Sequence, residues 1–209
     1  MIEESALVED GQSRCNWACG KSVNQAYRDY HDSEWGVPVH DDGTLFEFIV
    51  LEGAQAGLSW RTVLDKRDNY RRAFHGFDIK RVAAMKDREL ESLLLDPGLI
   101  RNRVKIFSAR NNARHTLDLL AEHGSLDCWI WDFVDGKPVV NHWKSQAEVP
   151  ATSAVSDRMS KAMHKRGFRF IGSTICYAFM QATGMVNDHL LGCFRHPRNL
   201  TAAGKKVRQ

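Results

Sequence analysis

The chain has 209 residues, 43% of them hydrophobic and 26% charged, and a formal net charge of +3, as expected for an ordinary globular protein. No stretch approaches the roughly 18 apolar residues of a membrane-spanning helix, and the N-terminus lacks an apolar run of signal-peptide length. We therefore expect a cytoplasmic protein with no membrane partner. Five cysteines, an odd number without framework spacing, argue against a disulfide scaffold.

Charge is distributed unevenly along the chain. Residues 1–60 hold 3 Lys and Arg against 11 Asp and Glu, whereas residues 61–115 hold 14 against 7. A basic middle in a weakly charged protein indicates a face that binds a polyanion. Because runs of charge are more often solvated helix faces, this pattern alone leaves the partner open.

The N-terminal segment changes character after its first residues. Residues 1–13 are polar and acidic and are predicted to be disordered. Beyond them, Tyr27, Tyr30 and His31 are spaced i, i+3, i+4, so a short helix would bring the three side chains together.

The next stretch, LFEFIVLEGAQAGLSW over residues 45–60, predicts a buried helix that Asp41 or Asp42 caps. Glu52 interrupts an otherwise apolar face of this helix at the i, i+3, i+4, i+7 spacing. An ionised carboxylate buried without a partner costs several kcal/mol or shifts its pKa. Glu52 is therefore either a helix-end acid that turns to water or a pocket carboxylate that awaits a ligand.

Residues just past this helix could complete such a pocket. Gly57 is placed to be the left-handed residue that follows the helix end. Trp60 is then available to stack on a flat ligand, and Leu58 could push an apolar wedge into a base stack. The alternative is that both side chains belong to the core.

Several helices follow in the middle of the chain. One covers residues 61–74 and is broken at Gly76, and Asp78 and Asp87 cap the next two. A long helix then runs over residues 101–121.

The joint LLLDPGLIRNRVKI predicts two helices around a tight turn that contains Gly98. Arg101, Arg103 and Lys105 follow this turn. Backbone N–H groups at such a turn and at the following helix start can cradle a phosphate, and the helix dipole adds to the attraction. Many helical hairpins bind nothing, so the pattern alone leaves both interpretations open.

The C-terminal third adds further helices. Residues 129–134 continue as a helix, after which VDGKPVV resembles a turn into an extended segment. Ser156 is predicted to cap a helix that Gly167 closes, and residues 174–182 form a very apolar helix. Since nearly every element is helical, the predicted fold class is all-α.

Cysteines and histidines at both ends of the chain have metal-ligand spacing. His189 and Cys193 are four residues apart and can share a metal, and so can Cys15 or Cys19 with His31. One pair from each end would form a closed tetrahedral site that fastens the terminal segments together, which is a structural rather than a catalytic arrangement. The alternative is ordinary thiols and surface histidines.

Five blocks of the sequence carry a resemblance that separates these alternatives. They are RCNW, AYRDYHDSEWGVP, LFEFIVLEGAQAGLSW, KRGFRFIGSTICYAFMQATGMVNDH and the final HLLGC. Together they resemble the bacterial DNA-3-methyladenine glycosylase I family over about Arg14 to Cys193. The resemblance implies a helix-hairpin-helix DNA glycosylase fold, with DPGLIRNRVK as the hairpin.

The resemblance also implies the roles of the candidate residues. It implies one structural Zn²⁺ per chain, held by Cys15, His31, His189 and Cys193. It implies a base pocket formed by Glu52, Trp60, Tyr30, Tyr27 and Trp17. The expected DNA contacts are Leu58, Gly98, Arg101, Arg103 and Lys105. The interval from Cys15 to His31 is longer than the family pattern, and Cys19 falls inside it, so Cys19 is a competing ligand candidate.

The implied function is a monofunctional DNA glycosylase of base excision repair that hydrolyses the N-glycosidic bond of 3-methyladenine, with Glu52 as the catalytic candidate. Methylation at N3 leaves positive charge on the base, which an aromatic box and a carboxylate would hold selectively once the base leaves the stack. No lysine near the hairpin stands in a nucleophile motif, so a lyase is not expected. The alternatives are a non-catalytic zinc-containing DNA-binding module and a purine nucleoside hydrolase.

The domain organisation follows from these assignments. Residues 1–13 are an extension, residues 14–195 form a single compact glycosylase domain, and residues 196–209 form a basic, flexible tail. The expected partner is double-stranded DNA that contains alkylated bases, and the chain is expected to be a monomer.

Overall fold

The computed structural model describes residues 5–7, 11–20 and 23–200. Within these ranges the chain is mostly helical, as predicted, and four short strands pair in two small sheets. The α-helices are α1 Gln25–Ser33, α2 Asp42–Gln55, α3 Trp60–Leu64, α4 Arg67–Ala73, α5 Ile79–Ala84, α6 Asp87–Leu93, α7 Arg103–His123, α8 Leu126–Trp131, α9 Ala154–Lys165 and α10 Ser173–Ala182. The strands are β1 Ser5–Leu7, β2 Ser13–Cys15, β3 Val139–Val140 and β4 Val186–Asn187. Of the helices that the structure describes, none combines the length and the apolar character needed to cross a membrane.

The chain divides into two compact units, each assembled from several segments. The first unit comprises Met1–Pro38, Pro138–Ala151 and Gln181–Gln209, and the second comprises Val39–Lys137 and Thr152–Met180. Because these segments alternate along the chain, no single sequence boundary separates the units, although the sequence predicted one unit over residues 14–195.

The first unit holds both small sheets. β1 pairs antiparallel with β2, with Ser5 opposite Cys15. β3 pairs parallel with β4, with Val139 opposite Val186, so the VDGKPVV segment does lead into an extended strand. The pairing of β3 with β4 joins two segments of this unit that are distant in sequence.

Two predictions for the terminal segments need correction. Disorder was expected over residues 1–13, but residues 5–7 form β1, because their backbone groups pair with β2; residues 1–4 and 8–10 lie outside the described part. The predicted flexible tail over 196–209 is ordered at its start. His196 is 1% exposed, with ring Nε2 3.0 Å from the carbonyl oxygen of Asn141, and residues 201–209 again lie outside the described ranges.

The second unit is built around α2 and α7. Every residue of α2 from Leu45 to Ala54 is buried, which confirms the helix that the sequence predicted from its nearly uniform apolar character. α7 packs against α5 and α2. Burial of the apolar α2 side chains on all sides stabilises this arrangement by about 25 cal/mol for each Å² removed from water.

Three helix boundaries in this unit differ from the prediction. The helix expected over residues 61–74 is broken into α3 and α4, because the turn between them brings Arg67 into the interior, where Nε donates to Oε1 of Glu47 at 2.6 Å. Asp87 is the first residue of α6 rather than its cap. Ser153, not Ser156, caps α9, and the two serines form a reciprocal capping box.

Other local signals are confirmed. The side chain of Asp41 caps α2 by accepting from the N–H of Thr44, and Asp78 caps α5 in the same way. Gly57, with φ of +76°, is the left-handed residue that follows α2, and Gly167, with φ of +90°, closes α9.

Candidate metal centre and buried carboxylate

Four buried side chains in the first unit converge on one point. The ligand atoms of Cys15, His31, His189 and Cys193 all lie within 4.8 Å of one another. Sγ of Cys193 is 3.5 Å from Nε2 of His31 and 3.5 Å from Nδ1 of His189, and Sγ of Cys15 is 3.7 Å from Nδ1 of His189. None of the four is more than 1% exposed. These predicted ligands could therefore hold a metal ion.

Different local structures position the four ligands. Cys15 ends β2 and His31 lies in α1, whereas His189 and Cys193 lie in the irregular segment that follows β4. The backbone N–H of Cys193 donates to the carbonyl of Leu190 at 2.8 Å, which folds the segment back on itself. Gly36 has φ of +74°, and a Cβ atom there would lie 3.2 Å from two ring atoms of His189, so this position favours glycine.

Each histidine presents its second ring nitrogen to an acceptor. Nδ1 of His31 lies 2.7 Å from Oδ1 of Asp32, and Nε2 of His189 lies 3.0 Å from the carbonyl oxygen of Trp35. Arg14 holds Asp32 in turn, with Nη2 2.7 Å from Oδ2. Although burial opposes it, hydrogen bonds from Arg14 and His31 hold the pKa of Asp32 below its usual value. Such outer partners fix the tautomer and orientation of metal-binding histidines.

The electrostatics suit a cation at this point. Backbone N–H groups of Leu190 and Arg195 each lie 3.4 Å from a cysteine sulfur, the first facing Cys15 and the second Cys193. The hydrogen bond between the two thiols, joined by those from the two histidines, lowers the pKa of Cys193, and the same bond together with burial raises the pKa of Cys15. Burial lowers the pKa of His189, which favours the neutral imidazole. A thiolate and a neutral imidazole are the forms that bind metals.

Cys19, the competing candidate, lies outside this group. Its Sγ is directed to the carbonyl oxygen of Cys15 at 3.4 Å. The structure therefore selects Cys15 from the two cysteines that the spacing left open.

Three of the predicted base-binding aromatics lie beside the candidate metal centre. The ring of Trp17 is 5.3 Å from that of Tyr27, 6.4 Å from that of Tyr30 and 5.0 Å from that of His31, measured between centroids. Tyr30 is buried, whereas Trp17 and Tyr27 are partly exposed. Both tyrosines lie on α1, as predicted, and both are close to Trp17.

Glu52 lies near the end of α2 in the second unit and is 2% exposed. Its Oε2 atom is buried and has no hydrogen-bond partner among the residues that the structure describes. Burial raises the pKa of Glu52 from 4.5 to about 8. The interpretation that Glu52 turns to water is therefore wrong, and the carboxylate retains the capacity to accept a hydrogen bond from a ligand.

The residues after α2 form an exposed tip followed by a partly buried tryptophan. Leu58 is 42% exposed, so the alternative that it belongs to the core is wrong. The Ser59 side chain caps α3 by accepting from the N–H of Thr62. Trp60 stacks on Phe48 of α2, with ring centroids 6.3 Å apart and planes 25° apart.

Gly98 occupies a crowded turn between α6 and α7. A Cβ atom there would lie 2.7 Å from Nδ2 of Asn69 and 2.9 Å from Oδ1 of Asp96, so a larger residue would have to displace these two side chains. The N–H of Gly98 donates to Oδ1 of Asp96 at 2.7 Å, and its carbonyl accepts from Asn69 at 3.1 Å.

The three basic residues after this turn have different surroundings. Arg101 is exposed. Arg103 is also exposed, forms an ion pair with Glu91 and lies over the ring of Phe107 at 4.2 Å. Lys105 is partly buried, and its Nζ donates to the carbonyl oxygens of Ala54 at 2.8 Å and Ala56 at 2.5 Å.

The structure adds a support that the sequence analysis did not identify. Asp188 is 1% exposed and accepts hydrogen bonds from Asn141 at 2.7 Å, Trp143 at 2.8 Å and Gln181 at 2.7 Å. It directly precedes His189, so these bonds hold the segment that carries two ligands. An aspartate inside the apolar context of MVNDHLLGC is a signal that could have revealed it.

Comparison with known proteins places the chain in a family. The sequence pattern described as methyladenine glycosylase matches residues 17–196. DNA-3-methyladenine glycosylase 1 of Escherichia coli (strain K12) is 49% identical over 186 residues, which cover 89% of this chain and 98% of that protein. DNA-3-methyladenine glycosylase of Haemophilus influenzae (strain ATCC 51907 / DSM 11121 / KW20 / Rd) is 48% identical over 181 residues, which cover 87% and 96%.

Comparison with solved structures points to the same family. That of 3-methyladenine DNA glycosylase I from Staphylococcus aureus has a TM-score of 0.84 to this chain at 30% identity, and the match covers 88% of this chain and 96% of that one. The family pattern spans most of the chain, and the relatives are nearly half identical over almost their whole length. The chain therefore belongs to the methyladenine glycosylase family.

Proposed function

We propose that this chain hydrolyses the N-glycosidic bond of 3-methyladenine in alkylated DNA, as a monofunctional glycosylase of base excision repair. Both relatives are named for that activity. The observation that carries the proposal is Oε2 of Glu52, buried without a partner among the described residues. A cationic base with an exocyclic amine would supply both the missing donor and the opposite charge.

The reaction depends more on selective binding of the methylated base than on acid catalysis. Methylation at N3 places positive charge on the base, so the base leaves with the electron pair of the glycosidic bond and becomes neutral, while water adds to the sugar carbon and loses a proton. Glu52 would accept from the exocyclic amine. Trp60, which follows the helix that carries Glu52, is the aromatic side chain proposed to stack on the cationic ring.

Cys15, His31, His189 and Cys193 are proposed to hold a structural Zn²⁺. Zinc bonds of about 2.3 Å to sulfur and about 2.0–2.1 Å to nitrogen, at tetrahedral angles, place sulfur and nitrogen ligands about 3.6 Å apart. Three of the four sulfur–nitrogen distances are 3.5 to 3.7 Å and match this value. Because four protein ligands leave no open position, the ion would supply folding free energy rather than catalysis.

The α6–α7 turn is proposed as the hairpin of a helix-hairpin-helix DNA contact. The exposed Arg101 and Arg103 lie at or just before the start of α7, where a phosphate is favoured. The exposed Leu58, at the tip that follows Gly57, is the proposed wedge that fills the gap when a base leaves the stack.

Release of bases from methylated duplex DNA, measured by chromatography, tests the proposed function. We expect wild-type protein to release 3-methyladenine and Glu52→Gln to release it more slowly. Glu47→Gln is the matched control, since Glu47 lies on the same buried helix but is paired with Arg67. Its substitution should lower thermal stability rather than base selectivity. Well-folded protein that binds DNA but releases no base would contradict the proposal and favour a non-catalytic DNA-binding module.

A further inference from the structure

We infer that Lys105 and Asn112, both on α7, are positioning residues for the carboxylate of Glu52, and that Lys105 is not a phosphate contact. The inference rests on the proposed function, since it concerns how the residue proposed to hold the base is kept in place. It assigns to Lys105 a role different from the DNA contact that its position after the hairpin predicted.

Lys105 binds the end of the helix that carries Glu52. The last carbonyls of an α-helix lack partners within the helix. Nζ of Lys105 donates to two of them, those of Ala54 and Ala56. A carboxylate in the last turn also faces the negative end of the helix dipole, and a cation on these carbonyls offsets that repulsion. Lys105 therefore acts on both the position and the electrostatics of Glu52.

Asn112 acts on the same turn through a second segment. It is 2% exposed, and it clamps the backbone of Arg169 twice: Nδ2 donates to the carbonyl at 3.0 Å and Oδ1 accepts from the N–H at 2.9 Å. The next residue, Phe170, has φ of +55°, a conformation that is costly for a side chain of this size. The two hydrogen bonds from Asn112 therefore stabilise the strained backbone at Phe170.

Phe170 in turn abuts Gly53, the neighbour of Glu52. A Cβ atom at Gly53 would lie 3.2 Å from Cβ of Phe170 and 3.5 Å from its carbonyl oxygen. Lys105 and Asn112 are seven residues apart, close to two helical turns, so one face of α7 holds the last turn of α2 at two points. Movement of that turn would displace a buried carboxylate that has no partner of its own among the described residues.

The free base 3-methyladenine separates positioning from phosphate contact, because it carries no phosphate. Lys105→Met keeps the apolar stem and removes the donors. We expect it to weaken binding of the free base by about tenfold, within the up to about hundredfold cost of a small displacement in a site. Affinity for undamaged duplex DNA should keep the wild-type salt dependence. Arg101→Met is the matched control and should behave in the opposite way, with unchanged base affinity and a salt slope reduced by about 1.

Unchanged base affinity in Lys105→Met, with a salt slope reduced as in Arg101→Met, would overturn the inference and restore Lys105 as a phosphate contact. Wild-type protein that binds neither the free base nor methylated DNA would instead contradict the proposed function itself. Melting temperatures measured alongside show whether each variant is folded.

A second pair of variants tests the contact between Phe170 and Gly53, through which Asn112 is inferred to act on α2. Neither variant removes a hydrogen bond from that helix. Gly53→Ala suits a helix and should not lower the melting temperature, yet its Cβ would press on Phe170 and displace the turn. We expect base affinity to fall several-fold, and we expect Gly53→Ala combined with Phe170→Gly, which removes the opposing Cβ, to regain most of it. Wild-type base affinity in a folded Gly53→Ala protein would show that this contact does not position Glu52.

Discussion

Nδ1 of His31 lies 2.7 Å from Oδ1 of Asp32, while Nε2 of the same ring faces the candidate metal centre. The carboxylate therefore fixes which ring nitrogen is free to bind a cation. Asp32 is itself held by Arg14, whose Nε lies 2.9 Å from Oδ1. A partly buried residue on α1 thus supports a fully buried site, and substitution of Asp32 tests this support directly.

Asp32→Asn should weaken zinc binding without removing a ligand. The amide cannot offer the charge that raises the basicity of His31, and outer partners of this kind are worth about tenfold or more in metal affinity. Competition with a chelator measures the effect. Asp29→Asn is the control, because Asp29 lies on the exposed side of α1 and its carboxylate accepts from the side chain of Gln25 rather than from a candidate ligand. Equal retention by both variants would show that Asp32 does not support the centre.

Removal of a proposed zinc ligand should lower zinc affinity far more than Asp32→Asn does. Purified protein should hold about one zinc per chain, and Cys193→Ser should lower both metal content and melting temperature, because the metal is proposed to contribute folding free energy. Cys128→Ser is the matched control, since Cys128 is exposed and lies outside the four-residue group. Metal analysis that finds no zinc in well-folded wild-type protein would refute the zinc assignment.

Features set by neighbouring residues were predictable from the sequence. Asp41 and Asp78 cap their helices, Gly57 takes the left-handed conformation, and the uniform apolar character of α2 predicts its burial. Cys15 and His31 were found because ligand side chains are few and the resemblance chose between two cysteines. The capping, glycine and burial signals each lie within a few residues of the feature that they predict, whereas the ligand prediction joins both ends of the chain.

Features set by distant partners were not predictable in this way. The break before Arg67 depends on Glu47, which lies twenty residues earlier in the chain. In the sequence, Lys105 is one of three basic residues that follow the hairpin. Only the fold shows that α7 lies against the end of α2, where Lys105 donates to a carbonyl oxygen. Glu52 lies between the two cases, because its misfit in an apolar face was visible in the sequence, whereas its missing hydrogen-bond partner needed the structure.

Charge reversal at Arg103 should weaken binding to all duplex sequences alike. Arg103 is exposed, and a phosphate contact carries no sequence information. Affinity measured across a range of salt concentrations should show a slope about 1 smaller for Arg103→Glu than for the wild type. Lys161→Glu on the exposed side of α9 is a control of equal charge change. If wild-type affinity proved independent of salt, the hairpin would not be the DNA contact.

The raised pKa of Glu52 predicts how stability depends on pH. The native carboxyl, with a pKa of about 8 against the usual 4.5, binds its proton more tightly than the unfolded chain does. Stability from this group is therefore fully present below about pH 4.5 and is lost as the pH rises towards 8, by up to roughly 1.4 kcal/mol per pH unit. Glu52→Gln does not titrate, so its melting temperature relative to wild type should rise between pH 5 and pH 8. A difference that stays constant over this range would contradict the burial of an unpaired carboxyl.

Selectivity between two cationic bases is the sharpest test of Glu52. The protein should release 3-methyladenine from methylated duplex DNA and leave 7-methylguanine largely in place. Both bases are positively charged, so charge alone cannot separate them. Guanine presents the O6 acceptor where adenine presents the N6 donor, and an acceptor that faces a carboxylate away from water is repelled.

Glu52→Gln keeps the shape of the side chain while it removes the charge and adds a donor. Binding of free 3-methyladenine should weaken by roughly 1–3 kcal/mol, the scale of a lost charged hydrogen bond. Excision should fall less, because the positive charge of the base already activates it as a leaving group. The added donor should also narrow the preference over 7-methylguanine. Calorimetry measures the affinity, and chromatography of released bases measures the preference. Equal affinity of wild type and variant would show that the buried carboxyl of Glu52 does not contact the base.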